Sequence, residues 1–210
     1  MIYRFLLLWI VTLLPVRAAA QQSRTQDAAS VLEATVHKLN AAPSVHTSFT
    51  LTANGQTLKG VMTAAGRCFY IKADGGEYET WFDGKTQWTW SAATNEVNMT
   101  EPTPEEVMET NPFAIATEAT KIYNVSLVGK DGPTVLLRLT PKRGAATQVA
   151  EAVLKIALPS NFPAELKVTL KDRQVLSFCF NDMAVGKKLD VREFKYDPSK
   201  HPGAEIIDLR

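Results

Sequence analysis

Cysteine is nearly absent from this chain. Cys68 and Cys179 are the only two in 210 residues, and they form no C-x-x-C. The three histidines, His37, His46 and His201, stand far apart, with no H-x-x-x-H spacing. A zinc site needs three or four such ligands drawn together, so none is expected, and no cofactor is implied. G-x-S-x-G, Walker and dinucleotide-binding patterns are missing too. Charge of one sign is lacking as well, with 23 Lys and Arg against 22 Asp and Glu. Such a balance gives no reason to expect nucleic acid or an anionic membrane as partner. Carboxylates are plentiful but scattered, and no nucleophile, base and orienting group can be named together. The expectation is that the protein is not an enzyme.

Long apolar runs are also missing, except one. Phe5 to Leu14 is apolar at every position but Thr12. At ten residues it is too short for a membrane span, which takes ~20. Arg4 precedes it, Pro15 follows, and Ala18-Ala19-Ala20 supplies small residues for cleavage. These are the three parts of a secretory signal peptide. Residues 1–20 are therefore expected to be removed, leaving 21–210 as a single domain. Gln21 stands where a lipid-anchored protein would need Cys, so a soluble periplasmic product is expected. An oxidising compartment permits Cys68 and Cys179 to pair. Spacing does not decide the matter, and two buried free thiols are the expectation.

What is present is alternation. After a polar stretch to Gln26, Ala28, Val31, Leu32, Val36 and Leu39 recur at helical spacing, with Asp27 as a candidate N-cap. From Val45 the period changes to two. Strands are expected over Val45–Leu58 around an Asn54-Gly55 turn, Cys68–Ile71, and Tyr78–Phe82 with Thr86–Trp90 around Asp83-Gly84. Further strands are expected over Ile122–Val128, Thr134–Leu139, Ala152–Leu158, Ala164–Leu170, Val175–Phe180 and Val191–Tyr196. Thr103-Pro104-Glu105-Glu106 interrupts them with a capping box carrying Pro at its first helical position. Asn111-Pro112 restarts a second short helix. Strands at short, regular spacing imply one antiparallel sheet or barrel.

The candidate site is apolar. A two-residue Asp83-Gly84 loop places Trp81, Trp88 and Trp90 on one hairpin face. Leu166, Val168 and Leu170 alternate with charged residues, and Phe178 shares a face with Leu176 and Phe180. Such stripes usually make an ordinary core. A single curved sheet covered by few helices would instead leave a hollow for an apolar ligand. Its lid would carry Val31, Val107, Met108, Phe113 and Ile115.

Trp81-Phe82-Asp83-Gly84-Lys85-Thr86-Gln87-Trp88 resembles the D-G-K-T-x-W hairpin of the periplasmic outer-membrane lipoprotein carrier (LolA-like) family. Ser48-Phe49-Thr50 followed by Gly60, then Asn111-Pro112-Phe113 and Leu139-Thr140-Pro141-Lys142, agree in order. His201-Pro202-Gly203-Ala204-Glu205-Ile206-Ile207-Asp208-Leu209-Arg210 is similar to the ending of the Bacteroidetes-type branch. The resemblance implies a mainly β fold: an unclosed, strongly curved antiparallel β-barrel (half-barrel) with a lid of short α-helices. It also implies a monomeric carrier that holds lipoprotein acyl chains in a hydrophobic cavity. Such a carrier takes lipoproteins from an inner-membrane ABC transporter and passes them to an outer-membrane receptor. The alternative is a non-shuttling lipid or lipoprotein sensor on the same fold. Better-known members carry an Arg-Pro pair that ties the lid to the sheet. Here the region reads Gly66-Arg67-Cys68-Phe69, without the Pro.

Overall fold

The alternation from Val45 onward becomes one twelve-stranded sheet in the computed structural model. Residues 16–104, 106–107 and 111–210 are described. Residues 1–15 of the expected leader and Met108 of the expected lid lie outside them. The strands are β1 (Val45–Ala53), β2 (Gln56–Ala65), β3 (Cys68–Ala73), β4 (Tyr78–Phe82), β5 (Gln87–Ser91) and β6 (Glu96–Thr100). After the helices come β7 (Tyr123–Asp131), β8 (Thr134–Pro141), β9 (Val149–Ala157), β10 (Phe162–Leu170), β11 (Val175–Val185) and β12 (Glu205–Asp208). Their order across the sheet is 12-6-5-4-3-2-1-11-10-9-8-7. The two edges do not pair with each other, so the barrel stays open.

Each hairpin follows from its turn chemistry. Asn54 and Gly55 both adopt positive φ, at 51° and 76°, the twist a two-residue hairpin loop requires. The β4–β5 loop is longer than the sequence suggests. Phe82 pairs with Gln87 rather than Lys85. The Asp83 carboxylate accepts from the backbone N–H groups of Lys85 and Thr86 at 3.0 and 2.9 Å, and this Asx-type turn makes a four-residue loop. The register moves by two residues, so every side chain keeps its face. β12 was not expected. It lies parallel to β6, the one exception to antiparallel pairing among the described residues. Val191–Phe194, expected as strand, is a 3-10 turn capped by Asp190 and Glu193.

Among the described residues, two long helices cover the concave face. α1 spans Val16–Ala41. It begins well before Asp27, which is therefore interior and not an N-cap. The Ala and Gln run at 18–22 favours helix, and nothing there breaks it. Ala28, Leu32 and Leu39 are buried along one side, with Val31 and Val36 half-buried beside them. α2 spans Pro112–Ile122. Its N-cap is Asn111, a buried side chain whose oxygen accepts from Phe113 N–H at 2.9 Å. The other end is held by Lys142, whose ammonium donates to the Thr120 carbonyl at 2.9 Å, a favourable place for a cation. Two of the family-like motifs, Asn-Pro-Phe and Leu-Thr-Pro-Lys, thus fasten the two ends of one helix. Asn111→Ala is expected to cost about 1–2 kcal/mol in denaturant unfolding, through loss of the cap.

Before α2, the expected capping box forms: Glu106 N–H donates to Thr103 Oγ1 at 3.3 Å, and Thr103 N–H to Glu106 Oε2 at 2.7 Å. Both cysteines are free. Cys68 is half-buried, but Cys179 is exposed rather than buried, because it sits on the convex side of β11 between inward Phe178 and Phe180.

Candidate functional site

Register decides which side chains can meet. Phe49 of β1 pairs with Phe180 of β11, and Leu51 with Phe178. Leu166 then pairs with Phe178 and Val168 with Leu176. On the next strand Leu154 and Ala152 face Leu166 and Val168. All of these share the concave face and join Phe69, Ile71 and Phe82 in the main core under α1 and α2.

That face is not completely filled. Beside α2 lies a hollow of about 420 Å³, lined by Ile115, Val149, Val168, Leu170, Leu176 and Phe178, among others. Thr147, Gln148, Lys171, Asp172 and Gln174 add polar groups to its lining. A second hollow of about 440 Å³ is lined by Leu39, Val45, Phe82, Val107 and Phe113, among others. Both sizes fall in the range of small-ligand pockets. Phe113 lines the second, its ring 5.2 Å from that of Phe180.

Of the residues read from the sequence, the structure brings together Val168, Leu170, Phe178 and Ile115 around the first hollow. Val107 and Phe113 line the second. Leu166 lies deeper, 1% exposed beneath them. Val31 packs onto the same core from α1. Val149 and Leu176 were missed as lining residues. Leu176 carried a signal, being two residues from Phe178 on the same face. Val149 stands outside the expected β9 and carried none.

The three tryptophans go elsewhere. Trp81 pairs with Tyr70 and Trp88, and Trp90 with Val97. This is the convex face, opposite Phe69 and Phe82, so Trp81, Trp88 and Trp90 do not line either hollow. The C-terminal segment covers part of this face. Trp81 meets Tyr196 edge-on with ring centroids 5.3 Å apart. Trp90 stacks on His201 at 3.8 Å. Phe194 is 2% exposed and Val97 fully buried. Periodicity could not separate the two faces of this hairpin, because neither face is purely polar.

One carboxylate is buried there. Glu79 accepts from the Tyr70 hydroxyl at 2.5 Å and pairs with Lys72 at 3.1 Å. His201 Nε2 lies 3.6 Å from it. Burial pushes the Glu79 carboxyl up, but the Tyr70 and Lys72 hydrogen bonds, with the Lys72 and His201 charges, outweigh it and hold it below its ordinary range. Burial first, and then Glu79, push the Tyr70 phenol well above its ordinary value. Through His201 this cluster ties the C-terminal segment to the sheet. No group of three or more His, Cys, Asp or Glu residues that could hold a metal is found among the described residues. No helix among them is long and apolar enough to cross a membrane.

Solved structures share this fold at low identity. An uncharacterized conserved protein from Thermus thermophilus superposes with a TM-score of 0.58 at 14% identity, covering 86% of this chain and 98% of its own. A DUF1329 family protein from Desulfovibrio piger gives 0.52 at 12% identity, covering 85% and 99%. A putative outer membrane lipoprotein-sorting protein domain from Vibrio parahaemolyticus gives 0.49 at 8%, covering 81% and 97%. No curated protein matches the chain in sequence. Residues 18–171 match the family described as outer membrane lipoprotein carrier protein LolA. With the open sheet, its helical cover and the hollow beneath them, this match places the chain in the LolA outer membrane lipoprotein carrier family.

Proposed function

We propose that the protein is a periplasmic carrier that holds lipoprotein acyl chains in the hollow beside α2. The observation that carries this reading is an apolar hollow on an open sheet, lined by Ile115, Val168, Leu170, Leu176 and Phe178 and bordered by a helix whose ends are held by Asn111 and Lys142. Burying about ten methylenes there is worth about 8 kcal/mol, the scale of a micromolar complex. That is tight enough to hold a chain in transit and weak enough to give it up. In this reading residues 1–20 are a cleaved leader and 21–210 one domain. An inner-membrane ABC transporter loads the protein and an outer-membrane receptor unloads it. The His201–Arg210 ending supports a Bacteroidetes-type branch.

The test is uptake of a fluorescent fatty-acid ester by purified protein. Val168→Asp, which sets a carboxylate among apolar walls, is expected to weaken uptake at least tenfold while the circular dichroism spectrum stays that of a folded sheet. Unchanged uptake in the folded variant would contradict the reading. Depletion in cells then separates a shuttle from a sensor: lipoproteins stranded at the inner membrane are the expected result for a shuttle.

A further inference from the structure

The apolar lining of the hollow beside α2 continues past Phe178. Leu51 of β1 pairs with Phe178, and Leu58 of β2 pairs with Leu51. Directly paired side chains lie ~5 Å apart on one face of a sheet, so Phe178, Leu51 and Leu58 make a continuous row on the concave side. Ala53 widens the row beside Leu176. Leu51, Leu58, Leu176 and Phe178 all pack on the main core, yet each is only half-buried. A further hollow of about 580 Å³ follows this row, lined by Leu51, Ala53, Leu58, Gln56, Thr57 and Glu77. From β11 to β2 the row crosses two strand spacings, about 10 Å. Its far end is polar: Gln56, Thr57 and Glu77 are exposed there, and a methylene gains little by lying against them.

We propose that this row gauges chain length. Leu51 and Leu58 hold the distal methylenes of an acyl chain whose first part fills the hollow beside α2. Gln56, Thr57 and Glu77 set where the favourable contact ends. The inference rests on the carrier reading of that hollow and adds the ligand it prefers, a long chain over a short one. Continuity fixes the occupant: a chain that passes Val168 and reaches Phe178 has Leu51 as its next apolar neighbour across the strands. A chain that ends at Phe178 never meets Leu58. Leu58 therefore acts on long chains and spares short ones.

The experiment displaces cis-parinaric acid methyl ester with a series of methyl esters, from decanoate to octadecanoate. It uses purified wild type, Leu58→Gln and Gln56→Leu. Wild-type affinity should rise about fourfold for each added pair of methylenes, half the fully buried increment in free energy, and level off at hexadecanoate. Leu58→Gln should bind decanoate as wild type does, which also reports that it is folded. It should bind hexadecanoate about tenfold more weakly, because a polar amide replaces the apolar wall. Gln56→Leu lengthens the apolar row and should carry the rise on to octadecanoate. Three results would overturn the proposal: Leu58→Gln matching wild type at every length, Leu58→Gln weakening decanoate and hexadecanoate alike, or Gln56→Leu levelling off where wild type does. Wild-type binding that ignores chain length sinks the gauge alone, whereas no binding of any ester sinks the carrier reading itself.

Discussion

Trp81→Ala is expected to remove about 3–5 kcal/mol of folding stability and to leave ester uptake by the folded protein unchanged. Trp81 is fully buried, yet its neighbours all belong to the convex face. Its ring lies 5.4 Å from Tyr70, 5.3 Å from Tyr196 and 5.9 Å from His201. Truncation opens a cavity under the C-terminal segment and frees Tyr196 and His201 from their partner. A loss of that size is a large share of a domain's total stability, so urea unfolding reads it directly. Trp81→Phe keeps most of the volume and also removes the indole N–H, which is buried without a hydrogen-bond partner among the described residues. It is expected to cost less than Trp81→Ala, and its folded state to take up ester like wild type. A tryptophan that lined the hollow beside α2 would behave the other way under the proposed function, with uptake falling and stability holding.

Gly60→Ala should be the second large effect, about 2–3 kcal/mol of destabilisation from overpacking. A Cβ at Gly60 would lie 2.3 Å from the Lys72 carbonyl oxygen and 2.9 Å from the Phe49 ring. The first of these is backbone and cannot swing aside. Phe49 pairs with Gly60 across β1 and β2, and its ring occupies the space that a side chain would fill. The Ser-Phe-Thr strand and the glycine that follows it are thus one packing unit at a tight part of the sheet. Gly129→Ala is the control: its Cβ would meet nothing within 4 Å, and a change within 0.5 kcal/mol is expected. Midpoints of urea unfolding for the two variants test the contrast.

Most strands from Val45 to Val185 were legible because they end in residues with a strong local preference, such as Asn54-Gly55 or Asp74 to Gly76; β6 (Glu96–Thr100) was not expected, and β2 runs seven residues beyond the expected Leu58. The helical lid was legible for the same reason: Thr103, Asn111 and Pro112 write their caps into the sequence. What could not be read was which face of the β4–β5 hairpin looks inward. Periodicity puts Trp81, Trp88 and Trp90 together but does not say what covers them. The answer depends on Phe194, Tyr196 and His201, more than a hundred positions later, folding back over the convex side. That segment was expected as strand, and the capping box at Asp190 and Glu193 that turns it into a 3-10 turn went unread. β12 escaped for a related reason. Four residues, Glu205–Asp208, carry too little alternation to announce a strand, and parallel pairing with β6 needs no hairpin signal. Val168, Leu170 and Phe178 meet at the first hollow because β10 and β11 are neighbours, a pairing that alternation alone does not specify.

The central claim is that cargo sits on the concave face beside α2, not on the tryptophan face. Photo-crosslinking with a diazirine-bearing fatty-acid methyl ester, followed by peptide mass spectrometry, measures this directly. The account predicts labelled peptides from Pro112–Ile122 and from Val168–Phe178, and no labelled peptide containing Trp81, Trp88 or Trp90. Label concentrated on the Trp81–Trp90 hairpin, with the α2 and β10–β11 peptides bare, would contradict it.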